Sequence, residues 1–213
     1  SGTLSANSLV SSGGRIFLKA QGTTTLSGDA KVTATGTTGG HIEILGDEVH
    51  LEGDTLLDAS GQSAGGTILV GGDYQGKNPT IQNARITSTG KNVVIKADAT
   101  KQGDGGTIVV WSDDTTTAYG NLSARGGSQG GDGGFVEVSG KQKLFYRAFT
   151  DTRAPLGTTG TLLLDPSDIN LYATGTDGNI YDATVYASDL KNALIGSSIT
   201  LNTSAGSGDV TFN

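Results

Sequence analysis

Few residues of this chain have the type and spacing that chemistry demands. Asp113-Asp114 is an adjacent acidic pair, and glycoside cleavage uses two carboxyl groups held roughly 5 to 9 Å apart on either side of a sugar. Neighbouring residues of a strand point to opposite faces, so the pair diverges and reads as a solvated corner. His41 and His50 stand outside any ligand-spaced cluster, and a zinc site needs three or four convergent donors. His41 is expected outward beside Glu43, and His50 between inward Val49 and Leu51. Gly130-Gly-Asp-Gly-Gly134 resembles a calcium-binding nonapeptide only superficially, because its Asp is misplaced and the local repeat is far longer than nine residues. No glycine-rich stretch carries the Lys-Ser/Thr of a phosphate loop, and the absence of cysteine removes thiolate chemistry and disulfides. No enzyme activity, cofactor or metal is expected.

The elements behind these residues follow from composition. With 35 Gly, 34% hydrophobic and 16% charged residues, the chain falls below the usual roughly 45% and 25%. Gly, Thr and Ser in place of helix formers favour short strands and turns. A paired glycine followed by an alternating apolar strand recurs at Gly13, Gly39, Gly65, Gly105 and Gly133, with a weaker copy at Thr159-Gly160; these starts lie 26, 26, 40, 28 and 26 residues apart. The long interval contains an insertion near Asp73-Tyr-Gln-Gly-Lys-Asn-Pro79. Leu26-Ser-Gly-Asp29 and Leu51-Glu-Gly-Asp54 mark a recurring turn.

Repeats of this size without intervening helices suit a coil whose turns stack as parallel strands. The predicted fold is all-β, a right-handed parallel β-helix with about 26 residues per turn and one short helix near the C-terminus. Ile16, Ile42, Ile68, Ile108, Val136 and Leu162 form one core column, and Leu18, Ile44, Val70, Val110, Val138 and Leu164 the next. A column of small residues, Ala34, Ala59, Ser88 and Ala124, follows from Val32-Thr-Ala-Thr-Gly36 and its echoes, including Ile86-Thr-Ser-Thr-Gly90. Glycines at the corners are expected to supply positive φ. Thr33, Thr35, Thr87 and Thr89 are placed outward.

Residues 1–173 read as β-helix repeats and 174–213 as a transition segment. There Ser188 as N-cap, the Leu190/Leu194 pair and Gly196 predict a helix over about 188–195, before strands resume. Missing Met and an abrupt end on Gly208-Asp-Val-Thr-Phe-Asn213 lead us to expect a segment of a longer chain. The outward apolar group Leu45, Leu69, Val109 and Trp111 is the candidate interaction patch. Its alternative role is to carry the insertion as a cover. A net charge of -7 opposes binding to nucleic acid or anionic lipid, and no apolar run predicts membrane insertion.

Gly71-Gly-Asp-Tyr-Gln-Gly76, Gly103-Asp-Gly-Gly-Thr-Ile-Val-Val-Trp-Ser-Asp-Asp114, Ser123-Ala-Arg-Gly-Gly127, Gly133-Gly-Phe-Val-Glu-Val-Ser-Gly140 and Gly160-Thr-Leu-Leu-Leu-Asp-Pro166 occur in this order. Together they resemble the filamentous-haemagglutinin-like exoproteins of bacterial two-partner secretion. The resemblance implies a secreted, surface-associated adhesin segment. Its partners would be an outer-membrane transporter, reached through a secretion domain not present here, and a host receptor, glycan or neighbouring cell surface. The Asn-Pro-Asn motifs typical of that family's secretion domain are missing, which places this segment in the fibre. The alternative is a carbohydrate-binding or carbohydrate-cleaving β-helix.

Overall fold

The computed structural model describes residues 3–5, 14–172, 185–203 and 210–212. Its strands stack in parallel into three long faces of a β-helix. Face one contains Arg15–Lys19, His41–Leu45, Thr67–Val70, Thr107–Ser112, Phe135–Gly140, Thr161–Leu164 and Ser198–Leu201. Its register aligns Ile16, Ile42, Ile68, Ile108, Val136, Leu162 and Ile199 rung by rung. From Ile42 to Leu162 these residues have no exposed surface, so the first expected core column is the spine of the fold. The second column is paired from Leu18 to Val138.

Face three consists of Thr3–Ser5, Lys31–Thr33, Leu56–Asp58, Val94–Lys96, Asn121–Ser123 and Phe149–Asp151. Here the expectation for the small column needs correction. Leu57 pairs with Ile95 and Ile95 with Leu122, so Ala97, fully buried, fills the place assigned to Ser88. Ile86–Thr89 instead belongs to face two, which starts with Thr23–Leu26, and lies between Glu48–Leu51 and Thr115–Ala118. That shift turns Thr87 and Thr89 inward, where they are buried. The Thr87 hydroxyl donates to the Trp111 carbonyl at 2.7 Å and that of Thr89 to the Tyr119 carbonyl at 2.7 Å. Ala97→Leu should therefore overpack the bore and cost about 1–3 kcal/mol. Ser88→Val, on the half-buried outer side where Ser88 meets His50, should stay within about 1 kcal/mol. Thermal melts of the two variants check this assignment, and a reversed order would return Ser88 to the bore.

The paired glycines also differ from expectation. None of Gly39, Gly40, Gly65, Gly66, Gly105, Gly106, Gly133 or Gly134 has positive φ. They are glycine because of close approach: a Cβ on Gly40, Gly66, Gly106, Gly134 or Gly160 would overlap the carbonyl oxygen of the glycine one rung below. One on Gly39, Gly65, Gly105 or Gly133 would overlap the carbonyl of Ala59, Ala97, Ala124 or Thr152. Positive φ is confined to true turns, such as Gly28 and Gly53 at 69° and 62°, stacked in the Leu-x-Gly-Asp corner.

Near the C-terminus the stacking leaves chain order. On face two, Val185–Tyr186 sits between Lys143–Tyr146 and the earlier strand Ile169–Tyr172, and Val210–Phe212 pairs beyond Ile169–Tyr172. The helix spans Ala187–Gly196, so it begins before Ser188, and Tyr186 is its N-cap without a side-chain cap bond. It buries Ala193 and Gly196, with Leu190 partly buried against the core, while Leu194 is exposed. The Leu190/Leu194 pair therefore does not act as a unit. Gly196 lets the helix close on face three, because a Cβ there would overlap the Thr150 carbonyl, and its own carbonyl accepts from Thr152 N–H at 2.7 Å. Arg147 lies 4.0 Å over the Tyr186 ring and 3.7 Å from Asp189, joining the helix to face two. The expected boundary between residues 173 and 174 lies outside the described residues.

Candidate functional site

The outer side of face one carries two columns that a simple β-helix would leave in water. One runs Phe17, Glu43, Leu69, Val109, Glu137 and Leu163; the other aligns Lys19 with Leu45 and Trp111 with Ser139. The structure does not expose the candidate patch: Leu45, Leu69, Val109 and Trp111 are all buried, at 0–3% exposure. For Leu69, Val109 and Trp111 the physical reason is the insertion, which leaves face one after Val70 and folds back over the sheet. Leu69, Val109 and Trp111, with Ile81 from the insertion, form a small second core outside the bore. Of the two roles expected for the group, the structure displays the cover.

The strap is shaped to the indole. Ideal Cβ atoms on Gly72 and Gly76 would approach Trp111 ring atoms to 2.6 Å, so only glycine lets the backbone lie flat there. Asp73 caps the 3-10 turn Tyr74–Gly76 by accepting from Tyr74 N–H at 2.7 Å. Gln75 adopts φ 52°, the one described non-glycine residue with positive φ, a conformation that normally costs about 1–2 kcal/mol. Its contacts explain the choice. Gln75 N–H donates to both Glu137 oxygens at 3.1 and 3.3 Å, and its side-chain amide donates to Asp165 Oδ2 at 2.7 Å. Asn202 donates to the same Asp165 oxygen at 3.3 Å.

Glu137 has no exposed surface and Asp165 only 2%. Burial pushes the Glu137 carboxyl up to about 7; hydrogen bonds from Gln75 N–H and Ser139 oppose the shift, and the negative charges of Asp165 and Asp73 add to it. Neither acid stands out in the sequence. Glu137 repeats the outward position of Glu43 in the same repeat, and only the 40-residue interval before Gly105 hints that something reaches across later turns.

The other candidates are not brought together. Asp113 accepts from Trp111 Nε1 at 3.2 Å and from Asn83 at 3.1 Å, while the Asp114 side chain turns to Thr115. His41 bonds Glu43 at 2.6 Å, and His50 bonds Ser88 at 2.7 Å. Among the described residues no three His, Cys, Asp or Glu side chains are grouped to hold a metal. Asp132 of the Gly-rich corner accepts from Thr158 N–H at 2.8 Å, and Asp104 accepts from Asp132 N–H at 2.8 Å, so these carboxylates cap successive rungs. Hydrogen bonds from Thr158 hold the Asp132 carboxyl below its ordinary value. Two Gly-x-Ser-x-Gly stretches, at Gly61 and Gly126, carry no activated nucleophile: Ser63 donates to the Thr37 carbonyl and Ser128 to the Thr100 carbonyl.

No family model and no curated protein matches the chain. Among solved structures, the crystal structure of the HMW1 secretion domain from Haemophilus influenzae superposes with a TM-score of 0.61 at 31% identity, over 73% of this chain and 42% of that one. The chain thus spans less than half the length of its structural neighbour. The missing Asn-Pro-Asn motifs lead to the expectation of a fibre segment, whereas this solved neighbour is a secretion domain. In fold and in sequence, the chain is similar to this bacterial secretion domain.

Proposed function

We propose that the chain is a structural, adhesive fibre segment of a secreted bacterial surface protein, exported through an outer-membrane transporter of the two-partner type and without catalytic activity. The observation that carries this reading is the unbroken parallel register of face one from Arg15–Lys19 to Ser198–Leu201, with the strap and helix packed against the coil. Such a rod holds its outer surface at fixed spacing for display. The likeness to a secretion domain supports the export route, and the missing Asn-Pro-Asn motifs favour fibre over transporter recognition. No described helix is long and apolar enough to cross a membrane.

The likeness to a secretion domain favours a second reading, in which this segment itself engages the transporter. Competition separates the two. On the fibre reading, the isolated chain leaves binding of a secretion domain to the transporter unchanged and attaches to cells or glycan arrays. Displacement of the secretion domain, with no cell or glycan binding, would make export the function. Pectin, alginate and host glycans should remain uncleaved on incubation with the chain. Turnover that disappears in Asp113→Asn/Asp114→Asn would overturn the non-catalytic reading in favour of a carbohydrate-cleaving β-helix.

A further inference from the structure

We infer that Ser88 is an acyl-acceptor site, a serine whose hydroxyl is activated by His50 and Glu48 and takes one acyl group from an activated ester. Parallel stacking assembles the site from two coils. Ser88 lies directly opposite His50 in the register of face two, and Glu48 stands two residues before His50, so the three side chains leave the same outer side of the sheet. The Ser88 hydroxyl meets His50 Nδ1 at 2.7 Å, and His50 Nε2 lies 3.5 Å from Glu48 Oε2. Arg85 Nη2 bonds the other Glu48 oxygen, Oε1, and so holds the carboxylate in place. A nucleophile bonded to a base that a third group orients is the arrangement that raises the reactivity of a hydroxyl.

The partners place the imidazole proton. A carboxylate only accepts, so Nε2 facing Glu48 carries the hydrogen, and Nδ1 of the neutral ring is left to accept from Ser88 Oγ–H. The other histidine lacks this arrangement: His41 bonds Glu43 at 2.6 Å, but its register neighbours are Arg15 and Thr67. Ser63 and Ser128 donate to backbone carbonyls, which cannot take a proton. The His50 and Glu48 side chains keep 25% and 29% of their surface exposed, and Ser88 is half-buried beside them, so a small ester can reach the cluster.

In the transfer, Ser88 Oγ attacks the carbonyl carbon of an aryl ester while its proton passes to His50 Nδ1, and Glu48 faces the imidazolium that forms. The tetrahedral intermediate expels the aryl oxygen as phenolate, and the imidazolium returns its proton to solvent. One C–O bond forms, one breaks, and nothing is oxidised. The cluster sits on the open side of a sheet whose strand Ile86–Thr89 is paired along both edges, so no preorganised pair of backbone donors awaits an oxyanion. The acyl group therefore stays on Ser88. The site is one of modification, not turnover, and stands apart from the non-catalytic fibre reading.

The test incubates the full chain with p-nitrophenyl acetate at about pH 8, following p-nitrophenolate release and mapping the acetyl group by peptide mass. A burst of one equivalent per chain is expected, with the label on Ser88. General-base help is worth roughly 100-fold or more, so Ser88 should be acetylated at least about 100-fold faster than Ser63 or Ser128. Ser88→Ala should abolish the burst, and His50→Gln should slow it by roughly 100-fold, with far-UV circular dichroism unchanged in both. Glu48→Gln removes only the orienting charge, so it should slow the burst roughly tenfold without changing its size. The inference is overturned by a wild-type chain labelled elsewhere in preference to Ser88, by a burst that survives Ser88→Ala, or by His50→Gln reacting as fast as the wild type. The first of these outcomes is read on the unmodified sequence, so it decides even if a variant fails to fold.

Discussion

Val110→Asp is expected to abolish cooperative folding at neutral pH. Val110 has no exposed surface, and its register neighbours are Val70 below and Val138 above, so the new carboxylate finds neither water nor a cation in the bore. An unpaired buried charge costs several kcal/mol, on the scale of the whole ~5–15 kcal/mol that holds a typical domain together. The stacked geometry spreads the damage, because each rung is the pairing template for the next. Circular dichroism should show the thermal transition lost or greatly lowered. The folded-state pKa of the new Asp would be raised by burial, so part of the stability should return as pH falls and the group is neutralised. Thr25→Asp, on an exposed position of a face-two strand, should change stability by no more than about 1 kcal/mol. An unchanged melting temperature for Val110→Asp would refute the core assignment.

Face one was legible because its strands announce themselves, each with a glycine pair and then apolar residues at every second position. Face two was not, for a chemical reason. Its inward column runs Thr24, Val49, Thr87, Thr116 and Leu144, and three of these five are polar. Their hydroxyls are satisfied locally: Thr24 donates to the Leu45 carbonyl, Thr87 to that of Trp111 and Thr116 to that of Ser139, at 2.7–2.8 Å. A threonine that gives its hydroxyl to a face-one carbonyl of the next coil can sit inside, and period-2 hydrophobicity cannot see it. The same blindness misplaced Ser88. Ile86-Thr-Ser88 and Ile95-Lys-Ala97 both fit the apolar-x-small pattern, but Ile95 precedes Ile108 by 13 residues, against 10 for Val32 before Ile42 and 11 for Leu57 before Ile68. Spacing to the next glycine pair, rather than residue type, separates them. Glu137 and Asp165 were hidden because a strand position says only which face a side chain takes, not whether an insertion from an earlier turn will cover it.

The glycine pairs carry the second large expectation, Gly106→Ala. In a turn such as Gly28, with φ 69° and open space around it, alanine costs only the left-handed penalty of about 1–2 kcal/mol. At Gly106 the backbone is ordinary, yet the added methyl would overlap the Gly66 carbonyl oxygen, with Gly65 C and Gly66 N at 2.8 Å. That oxygen accepts the Thr107 N–H at 2.9 Å, so relieving the overlap pulls apart the first hydrogen bond of the rung. Overpacking commonly costs about 1–3 kcal/mol, and a lost backbone bond with an unsatisfied buried partner adds about 1–3 kcal/mol more. The contact cannot be relieved by moving one rung, since Gly134 stands on the Gly106 carbonyl and Gly160 on that of Gly134 in the same way. Gly106→Ala should therefore destabilise the chain by more than Gly28→Ala in denaturant melts, and the Thr107 amide should lose exchange protection. Equal, small effects at the two sites would show that the glycine pairs serve turn conformation instead of the close stacking of coils.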